Sequence, residues 1–259
     1  MWSIDGITDR TFRAKFLDVP DAMSAWLNEV GGFEGKDVLE FGCGEATAAL
    51  GIALRYHPRR LVATEIQSSE LDRAIPLARE QLGLNELPLN LELTKVDPAE
   101  RLDHTGRFDI AYSWSVFEHV RQDLIADCLT KIFDVLRPGG YMFLQTTPLY
   151  YSAFGSHFAQ WIPMPWAHLS MQHNLLCDEI RRQVTDSDEC RILLSMYETL
   201  NRATDSHILD TARSVGFEIV REHRTYDAFP IPEQLLRIYQ ESVLRTNQLV
   251  FLARRSADD

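Results

Sequence analysis

Two glycines one residue apart, followed by an acidic residue roughly 20 positions along the chain, form the sequence pattern with the clearest chemistry. Gly42 and Gly44 lie between the apolar run 38–41 and the segment 48–54, which has the composition of a helix. Glycine lets a ligand approach the backbone closely, and a helix start presents unpaired N–H groups. Glu65 ends the next apolar run, where a carboxylate can accept the hydroxyls of a ribose. Glycines alone could serve tight packing, but with Glu65 they predict a site for a nucleoside-bearing cofactor.

Histidines in an aromatic segment offer a second kind of chemistry. Residues 149–170 are rich in aromatic side chains, proline and histidine, and they include His157 and His168. Together with His119, these are the evident candidates for a base at neutral pH. Such a segment suits an apolar or sugar-ring ligand with a polar reacting group, although aromatic clusters more often belong to a core. The predicted substrate-contacting residues are Tyr150, Tyr151, Trp161, Trp166 and His168.

The composition bounds the class of protein. The 259 residues, 45% of them hydrophobic, suffice for one domain with a full core and an insertion. The net charge of −12 repels phosphate backbones, so we expect no nucleic-acid partner. The four cysteines lack a metal-like spacing, so we expect free thiols, a reducing compartment and no metal site. Residues 1–10 do not resemble a signal peptide and no long apolar window is present, so we expect a cytoplasmic protein without a membrane span.

The elements that must position these residues alternate along the first part of the chain. Short apolar runs predict five strands, at 38–41, 61–65, 91–96, 108–113 and 141–147. Helical spacing predicts helices at 22–30, 48–54, 68–82 and 124–136. Pro76 would kink the helix at 68–82 or move its start. This alternation predicts a parallel sheet covered on both faces, with ligands at the carboxyl ends of its strands.

The alternation breaks over 149–204 and then resumes. Two helices are predicted within the break, around 172–183 and 188–201. They are followed by a helix at 206–215, a strand at 217–221, a helix at 232–244 and a last strand at 248–253. We therefore predict one domain formed by residues 1–148 and 205–259, with 149–204 inserted as a cap that forms the substrate pocket.

The order and spacing of several motifs resemble the class I S-adenosylmethionine-dependent methyltransferases, particularly the branch with ubiquinone/menaquinone-type and many natural-product enzymes. The likeness covers about 38–148 and, more loosely, 205–255. It rests on Glu40-Phe41-Gly42-Cys43-Gly44-Glu45-Ala46, Glu65, Asp97, Phe108-Asp109, Ser115-Val116-Phe117-Glu118-His119-Val120 and Leu136-Arg137-Pro138-Gly139-Gly140. The family's last loop glycine is replaced by Ala46, which is small enough for the cofactor still to fit. The resemblance implies a Rossmann-like α/β fold, a seven-stranded, mostly parallel sheet with an antiparallel last strand and helices on both faces.

The resemblance also implies roles for individual residues toward S-adenosylmethionine. Glu40 would border the methionyl end, Glu65 would hold the ribose hydroxyls, and Asp97 would receive the adenine amino group. Pro98 has no N–H, so Ala99 or another neighbour would have to serve the adenine ring. Asp97 could instead be only a turn residue, and Glu65 only a solvated strand end. The full predicted cofactor set is Glu40, Gly42, Cys43, Gly44, Glu65, Ile66, Asp97, Pro98, Ser113 and Trp114.

The resemblance implies transfer of the sulfonium methyl group to a small-molecule acceptor by direct in-line displacement. O-methylation is favoured over N- or C-methylation, and a hydroxyl acceptor would profit from a base. His157 is the first choice and His119 the second, although either could be a packing or capping residue. An NAD(P)-dependent dehydrogenase is the closest rival, but Thr47 stands where its glycine pattern needs a third glycine. A non-catalytic S-adenosylmethionine-binding protein is a third alternative. We expect a monomer or homodimer.

Overall fold

A seven-stranded sheet forms the centre of the computed structural model, which describes residues 4–256. The strands are β1 Asp37–Phe41, β2 Arg60–Glu65, β3 Leu91–Lys95, β4 Phe108–Trp114, β5 Leu136–Thr146, β6 Phe217–Tyr226 and β7 Thr246–Arg255. Their order across the sheet is β3-β2-β1-β4-β5-β7-β6. The first five strands pair in parallel, whereas β7 is antiparallel to both β5 and β6. The predicted Rossmann-like sheet with its antiparallel last strand is confirmed. The ends of the predicted domain, 1–3 and 257–259, lie outside the described residues.

Helices connect the strands and cover the sheet. They are α1 Arg10–Arg13, α2 Val19–Leu27, α3 Thr47–Arg55, α4 Ser68–Leu82, α5 Ile125–Val135, α6 Ala167–Ser170, α7 His173–Gln183, α8 Ser187–Thr199, α9 Asp205–Val215, α10 Glu233–Leu236 and α11 Glu241–Arg245. The helix at 68–82 has its predicted bounds and continues through Pro76. Among residues 4–256, no helix is long and apolar enough to cross a membrane.

The predicted helix at 232–244 is wrong. The structure has the two short helices α10 and α11 there, and Gln240 between them is extended, with φ −67° and ψ 140°. In the link, the ring of Tyr239 packs with its centroid 5.3 Å from that of Tyr151. This contact takes the chain out of a helical path. Helical periodicity does not reveal it, because the partner is remote in sequence.

Successive residues of the central strands face opposite sides of the sheet. In β1, Val38 packs into the hydrophobic cluster beneath α2 and α3, whereas Leu39 packs into the cluster beneath α5 and α9. In β2, Leu61 joins the first cluster and Val62 the second. Both faces are buried, which explains why the centres of these strands are mainly apolar in the sequence. The same burial leaves only the ends of the strands available for a site.

The amino-terminal edge of the sheet is fixed by ion pairs. Arg137 at the start of β5 lies 2.7 Å from Asp37 Oδ2 in β1 and 3.0 Å from Asp109 Oδ1 in β4. Arg59 binds Asp37 through two N–H groups, at 2.8 and 2.5 Å. These bonds lower the pKa of Asp37 below its usual range, the contact with Arg59 having the largest effect. Asp109 and Arg137 belong to the motifs of the resemblance, and in the structure they hold strands together on the edge away from the glycine loop.

The segment after β5 packs largely on itself. It contains α6, α7 and α8, whose apolar faces bury Phe158, Leu176, Ile180 and Tyr197 in a cluster separate from the two clusters of the sheet. The segment leaves the sheet at the carboxyl end of β5, as predicted. That residues 149–204 form a cap distinct from the domain of the sheet stays a prediction.

Candidate active site at the carboxyl edge of the sheet

The glycine loop connects β1 to α3 and approaches the loop after β4. Gly42 has φ 80°, and a Cβ atom placed on it would lie 2.7 Å from a methyl carbon of Val116. Gly44 has φ 52°, and Ala46 adopts a left-handed conformation with φ 57° immediately before α3. Only glycine fits the space and the dihedral angle at position 42. The loop is therefore held close to β4, where a nucleoside cofactor would lie in this fold.

Glu65 joins the end of β2 to the glycine loop. Its Oε2 accepts the N–H of Gly44 at 2.9 Å. Its Oε1 accepts the N–H groups of Ile66 and Gln67 at 2.9 and 3.1 Å. The side chain is largely buried, and Oε2, which accepts a single N–H group, still has acceptor capacity for a ligand hydroxyl. Glu65 is thus fixed in the place that a ribose contact requires, and the contact itself stays a prediction.

Glu40 carries a buried carboxyl group whose Oε2 has no hydrogen-bond donor among the described residues. The residue is 3% exposed, and the hydroxyl of Tyr112 lies beside it outside hydrogen-bonding geometry. Burial, together with the charge of nearby Glu65, raises the pKa of Glu40 to about 8. An unpartnered buried acid is costly unless a ligand or water satisfies it. Among the residues at this edge, Glu40 is the one best suited to bind a cationic group of a ligand.

The other predicted cofactor residues differ in what their side chains already bind. Asp97 is exposed, and its Oδ1 accepts the N–H of Ala99 at 2.8 Å, so the N–H expected to serve an adenine ring is engaged. Ser113 is fully buried and donates to the carbonyl of Phe41 at 3.0 Å, which ties β4 to β1. Trp114 stacks on Phe143, with ring centroids 6.1 Å apart. Cofactor contacts of Cys43, Ile66, Asp97, Pro98, Ser113 and Trp114 stay predictions.

The two histidines predicted as bases lie together. His119 follows β4, His157 follows β5, and their ring centroids are 5.3 Å apart. His157 Nε2 is buried without a hydrogen-bond partner in the described chain. Burial lowers the pKa of His157 to about 4, with a further contribution from His119. Burial also lowers the pKa of His119. Both imidazoles are therefore neutral at neutral pH and can accept a proton.

His168 and the predicted aromatic residues lie in the segment that follows β5. His168 is 7% exposed, its Nε2 lies 2.6 Å from the carbonyl oxygen of Tyr150, and burial lowers its pKa to about 4. Tyr150 and Tyr151 are half-buried, with ring centroids 5.4 Å apart. Trp166 is fully enclosed and its indole N–H donates to the carbonyl of Tyr151 at 3.0 Å, so in this conformation it supports the tyrosines. Trp161 packs against the cluster within 149–204. Contact of these residues with a substrate stays a prediction.

Glu118 and Gln145 were not among the predicted site residues. Glu118 is 2% exposed, accepts the hydroxyl of Thr146 at 2.7 Å through Oε2, and has no partner at Oε1. Burial raises its pKa to about 7. Gln145 accepts from the N–H and hydroxyl of Ser115, both at 3.0 Å, and its Nε2 has no partner among residues 4–256. Unpartnered buried polar atoms at the ends of β4 and β5 mark this edge as a place for water or ligand. Glu118 stands in a motif of the resemblance, but its contact with Thr146 and the contact of Gln145 with Ser115 join different strands and have no local sequence signal.

A groove elsewhere on the molecule lacks these features. It lies between α7 and α8, has a volume of ≈ 610 Å³ and is lined in part by Arg181, Val184 and Leu194. No predicted site residue lines it. We place the site at the carboxyl edge because the orphaned polar atoms, the glycine loop and the histidines converge there.

Comparison with known proteins identifies the family of the chain. A family model described as a methyltransferase domain matches residues 15–193. The ubiquinone biosynthesis O-methyltransferase of Azoarcus sp. (strain BH72) is 26% identical over 132 residues, which are 50% of this chain and 52% of that protein. The same enzyme of Pseudomonas fluorescens is 30% identical over 123 residues, 47% of this chain and 48% of that one. The chain thus spans about half the length of the curated relatives it matches.

Solved structures share the fold across nearly the whole chain. Magnesium protoporphyrin IX methyltransferase from Synechocystis PCC 6803 with bound S-adenosylhomocysteine has a TM-score of 0.55 at 14% identity, covering 96% of this chain and 89% of that one. An S-adenosylmethionine-dependent methyltransferase from Mesorhizobium loti has a TM-score of 0.55 at 16% identity, covering 98% and 100%. At such identities the likeness establishes the fold.

Proposed function

The chain belongs to the class I S-adenosylmethionine-dependent methyltransferase family, and from that premise we propose that it transfers a methyl group to a small-molecule acceptor, with a hydroxyl oxygen as the favoured target. The observation that carries the proposal is the 2.9 Å hydrogen bond from Gly44 N–H to Glu65, which joins the glycine loop to the acid at the ligand-binding edge. The relatives described as ubiquinone biosynthesis O-methyltransferases support an oxygen acceptor.

The residues present fit S-adenosylmethionine, which would supply an electrophilic sulfonium methyl group. Glu40 would pair its orphaned carboxylate with the methionyl ammonium, since a buried acid without a partner gains most from a cation. Glu65 would accept the ribose hydroxyls, and the free oxygen of Asp97 would accept the adenine amino group. Gly42 would let the loop pack directly on Val116, which holds the loop in the position that the cofactor needs.

The acceptor would lie between the end of β4 and the segment 149–204. His157 would take the proton of an acceptor hydroxyl at Nε2, and His119 beside it is the second candidate. Tyr150, Tyr151, Trp161, Trp166 and His168 would form or support the walls of the pocket. Most of the catalysis would come from alignment, because methyl transfer needs nucleophile, methyl carbon and sulfur in line.

The methyltransferase proposal is favoured over a dehydrogenase by the matched relatives and by Thr47 in the glycine pattern. A non-catalytic cofactor-binding protein would lack a use for the orphaned His157 and Glu118 beside the pocket. We further propose a cytoplasmic monomer or homodimer that acts without a nucleic-acid partner. The net charge of −12 and the lack of a metal-like cysteine spacing support this setting.

Calorimetry with S-adenosylhomocysteine tests the proposal on the parent, Glu65→Ala and Glu86→Ala. Glu86 is exposed, so its loss is a matched control for charge. Losing charge-assisted hydrogen bonds and the Gly44 anchor should weaken binding about tenfold or more in Glu65→Ala alone. Unchanged affinity in Glu65→Ala, or tight NADH binding by the parent, would contradict the assignment. Transfer of labelled methyl groups to a panel of phenols, amines and carbon acids then separates an enzyme from a binding protein.

A further inference from the structure

Arg202, which has no counter-ion among residues 4–256, lies over a tyrosine ring of the segment that follows β5. The guanidinium carbon of Arg202 is 5.3 Å from the ring centroid of Tyr150. Its charge also acts on the hydroxyls of Tyr151 and Tyr197, where it opposes the rise in pKa that burial produces. We call Arg202, Tyr150, Tyr151 and Tyr197 the arginine–tyrosine cluster. It combines one guanidinium fork with three phenolic O–H groups, all of them hydrogen-bond donors.

The backbone that carries Arg202 is fixed to the predicted catalytic edge. The preceding residue, Asn201, donates its N–H to the carbonyl of Glu118 at 2.8 Å. Its side-chain amide donates to the carbonyls of Phe117 and Val120, at 2.5 and 2.6 Å. These bonds hold position 202 against the loop that presents His119. Arg202 is therefore at a set distance from the reacting groups, although its side chain is exposed.

Aromatic contacts continue from this cluster to the histidine pair. The ring centroid of Tyr150 lies 5.2 Å from that of His168. His168 is close enough to His157 to contribute to the lowering of the pKa of His157. His157 in turn packs 5.3 Å from His119. A ligand that reacts at the histidine pair thus has the arginine–tyrosine cluster within its surroundings.

The charge of Arg202 is available for a ligand. Across the described part of the chain it forms no ion pair, and its guanidinium group lies over the ring of Tyr150. The face of Tyr150 stabilises the guanidinium group without neutralising it. In a chain with net charge −12, acidic side chains outnumber basic ones, so an unneutralised arginine at a pocket is available for a ligand. A guanidinium fork matches the geometry of carboxylate and phosphate groups.

We propose that the arginine–tyrosine cluster is a binding site for an oxyanion of the methyl acceptor, so that the acceptor class is an anionic small molecule. The inference rests on the proposed function and adds the substrate class. Arg202 forms the ion pair, and the tyrosine hydroxyls donate further hydrogen bonds. His168 lies between Tyr150 and His157, so the arginine–tyrosine cluster does not touch the proposed bases. The cluster orients the acceptor and does not take part in the proton transfer.

Three probes of similar size separate charge from shape: benzoate, phenyl phosphate and benzamide. Their binding is measured by ligand-observed NMR on the parent, Arg202→Gln, Arg202→Lys and Arg79→Gln. Arg79 is likewise exposed and free of ion pairs among residues 4–256, and it lies on α4, so its loss is the matched control. We expect one or both anions to bind the parent at least about tenfold more tightly than benzamide. Comparison of benzoate with phenyl phosphate shows whether the site prefers a carboxylate or a phosphate.

In Arg202→Gln the preference for the anion should fall below about threefold, and in Arg202→Lys it should be retained in part. Arg79→Gln should match the parent. The proposal is overturned if benzamide binds the parent as well as the anions do, if Arg202→Gln keeps the preference, or if no anion binds at about 10 mM. The cofactor affinity of each variant is measured separately. Failure of S-adenosylhomocysteine to bind would contradict the proposed function, while the anion preference would still be measured on the cofactor-free protein.

Discussion

The ring centroids of His119 and His157 are 5.3 Å apart, although one residue follows β4 and the other follows β5. The contact places two neutral imidazoles at one point of the carboxyl edge. Because His157 Nε2 has no partner in the described chain, it is free to accept a proton from a substrate.

Removal of His157 should reveal whether a base is used. With a hydroxyl acceptor we expect the single-turnover rate of His157→Ala to fall by about 10²-fold or more, because a positioned base typically contributes that much. A base must be deprotonated, so the parent's rate should fall on the acid side near pH 4, the lowered pKa of His157, and not near 6.5. His207→Ala, on the exposed side of α9, is the control. Losses under about fivefold in both His157→Ala and His119→Ala would mean catalysis by alignment alone, and would favour an amine or carbon acceptor.

Binding of the cofactor should release a proton from Glu40. Burial holds its pKa at about 8, so the carboxyl group is mostly protonated at pH 7. A methionyl ammonium beside it lowers that pKa and expels the proton, and the effect should vanish well above pH 8. Calorimetry in buffers of different ionisation enthalpy measures the release. Glu40→Gln is isosteric and should release none, so equal release in parent and variant would show that the proton comes from another group.

Gly42→Ala should be far more harmful than Gly83→Ala. Both glycines have left-handed φ, 80° and 68°, but only the Cβ at position 42 meets Val116, at 2.7 Å, while nothing lies within 4 Å at position 83. Backbone strain should cost each variant about 1–2 kcal/mol of unfolding free energy, and overpacking should cost Gly42→Ala about 1–3 kcal/mol more. Urea unfolding measures both. The double variant Gly42→Ala/Val116→Ala should recover part of the unfolding free energy that Gly42→Ala loses. If it recovers none, the contact with Val116 is not the source of the loss.

Segment 149–204 should exchange its amide hydrogens faster than 38–66 in the absence of cofactor. Phe158, Leu176, Ile180 and Tyr197 pack in a cluster separate from those of the sheet, so the part of the segment that they hold together can open without disrupting the strands. Addition of S-adenosylhomocysteine and an acceptor should slow exchange in 149–204 more than in the distant edge strand β6. Equal protection of the two segments in the ligand-free protein would contradict a mobile cap.

The sequence determined most of the elements and predicted the edge of the sheet at which a site would lie. The mainly apolar runs of β1 and β2 indicated buried parallel strands, because both of their faces lie against helices. The pairing of Gly44 with Glu65 was also predictable, since the number of residues in one strand–helix–strand unit is nearly fixed by geometry. Such signals depend on residues close together in the chain.

Only the tertiary structure decided which side chains meet across the carboxyl edge. The contact of His119 with His157, the orphaned oxygen of Glu40 and the cation of Arg202 among tyrosines each depend on residues from different strands or loops. The loss of helix between α10 and α11 has the same origin, because Tyr239 packs on Tyr151 and the local helical pattern is overridden. Periodicity records which face of an element is buried, whereas these contacts are set by strand order and by loop conformations that no local pattern encodes.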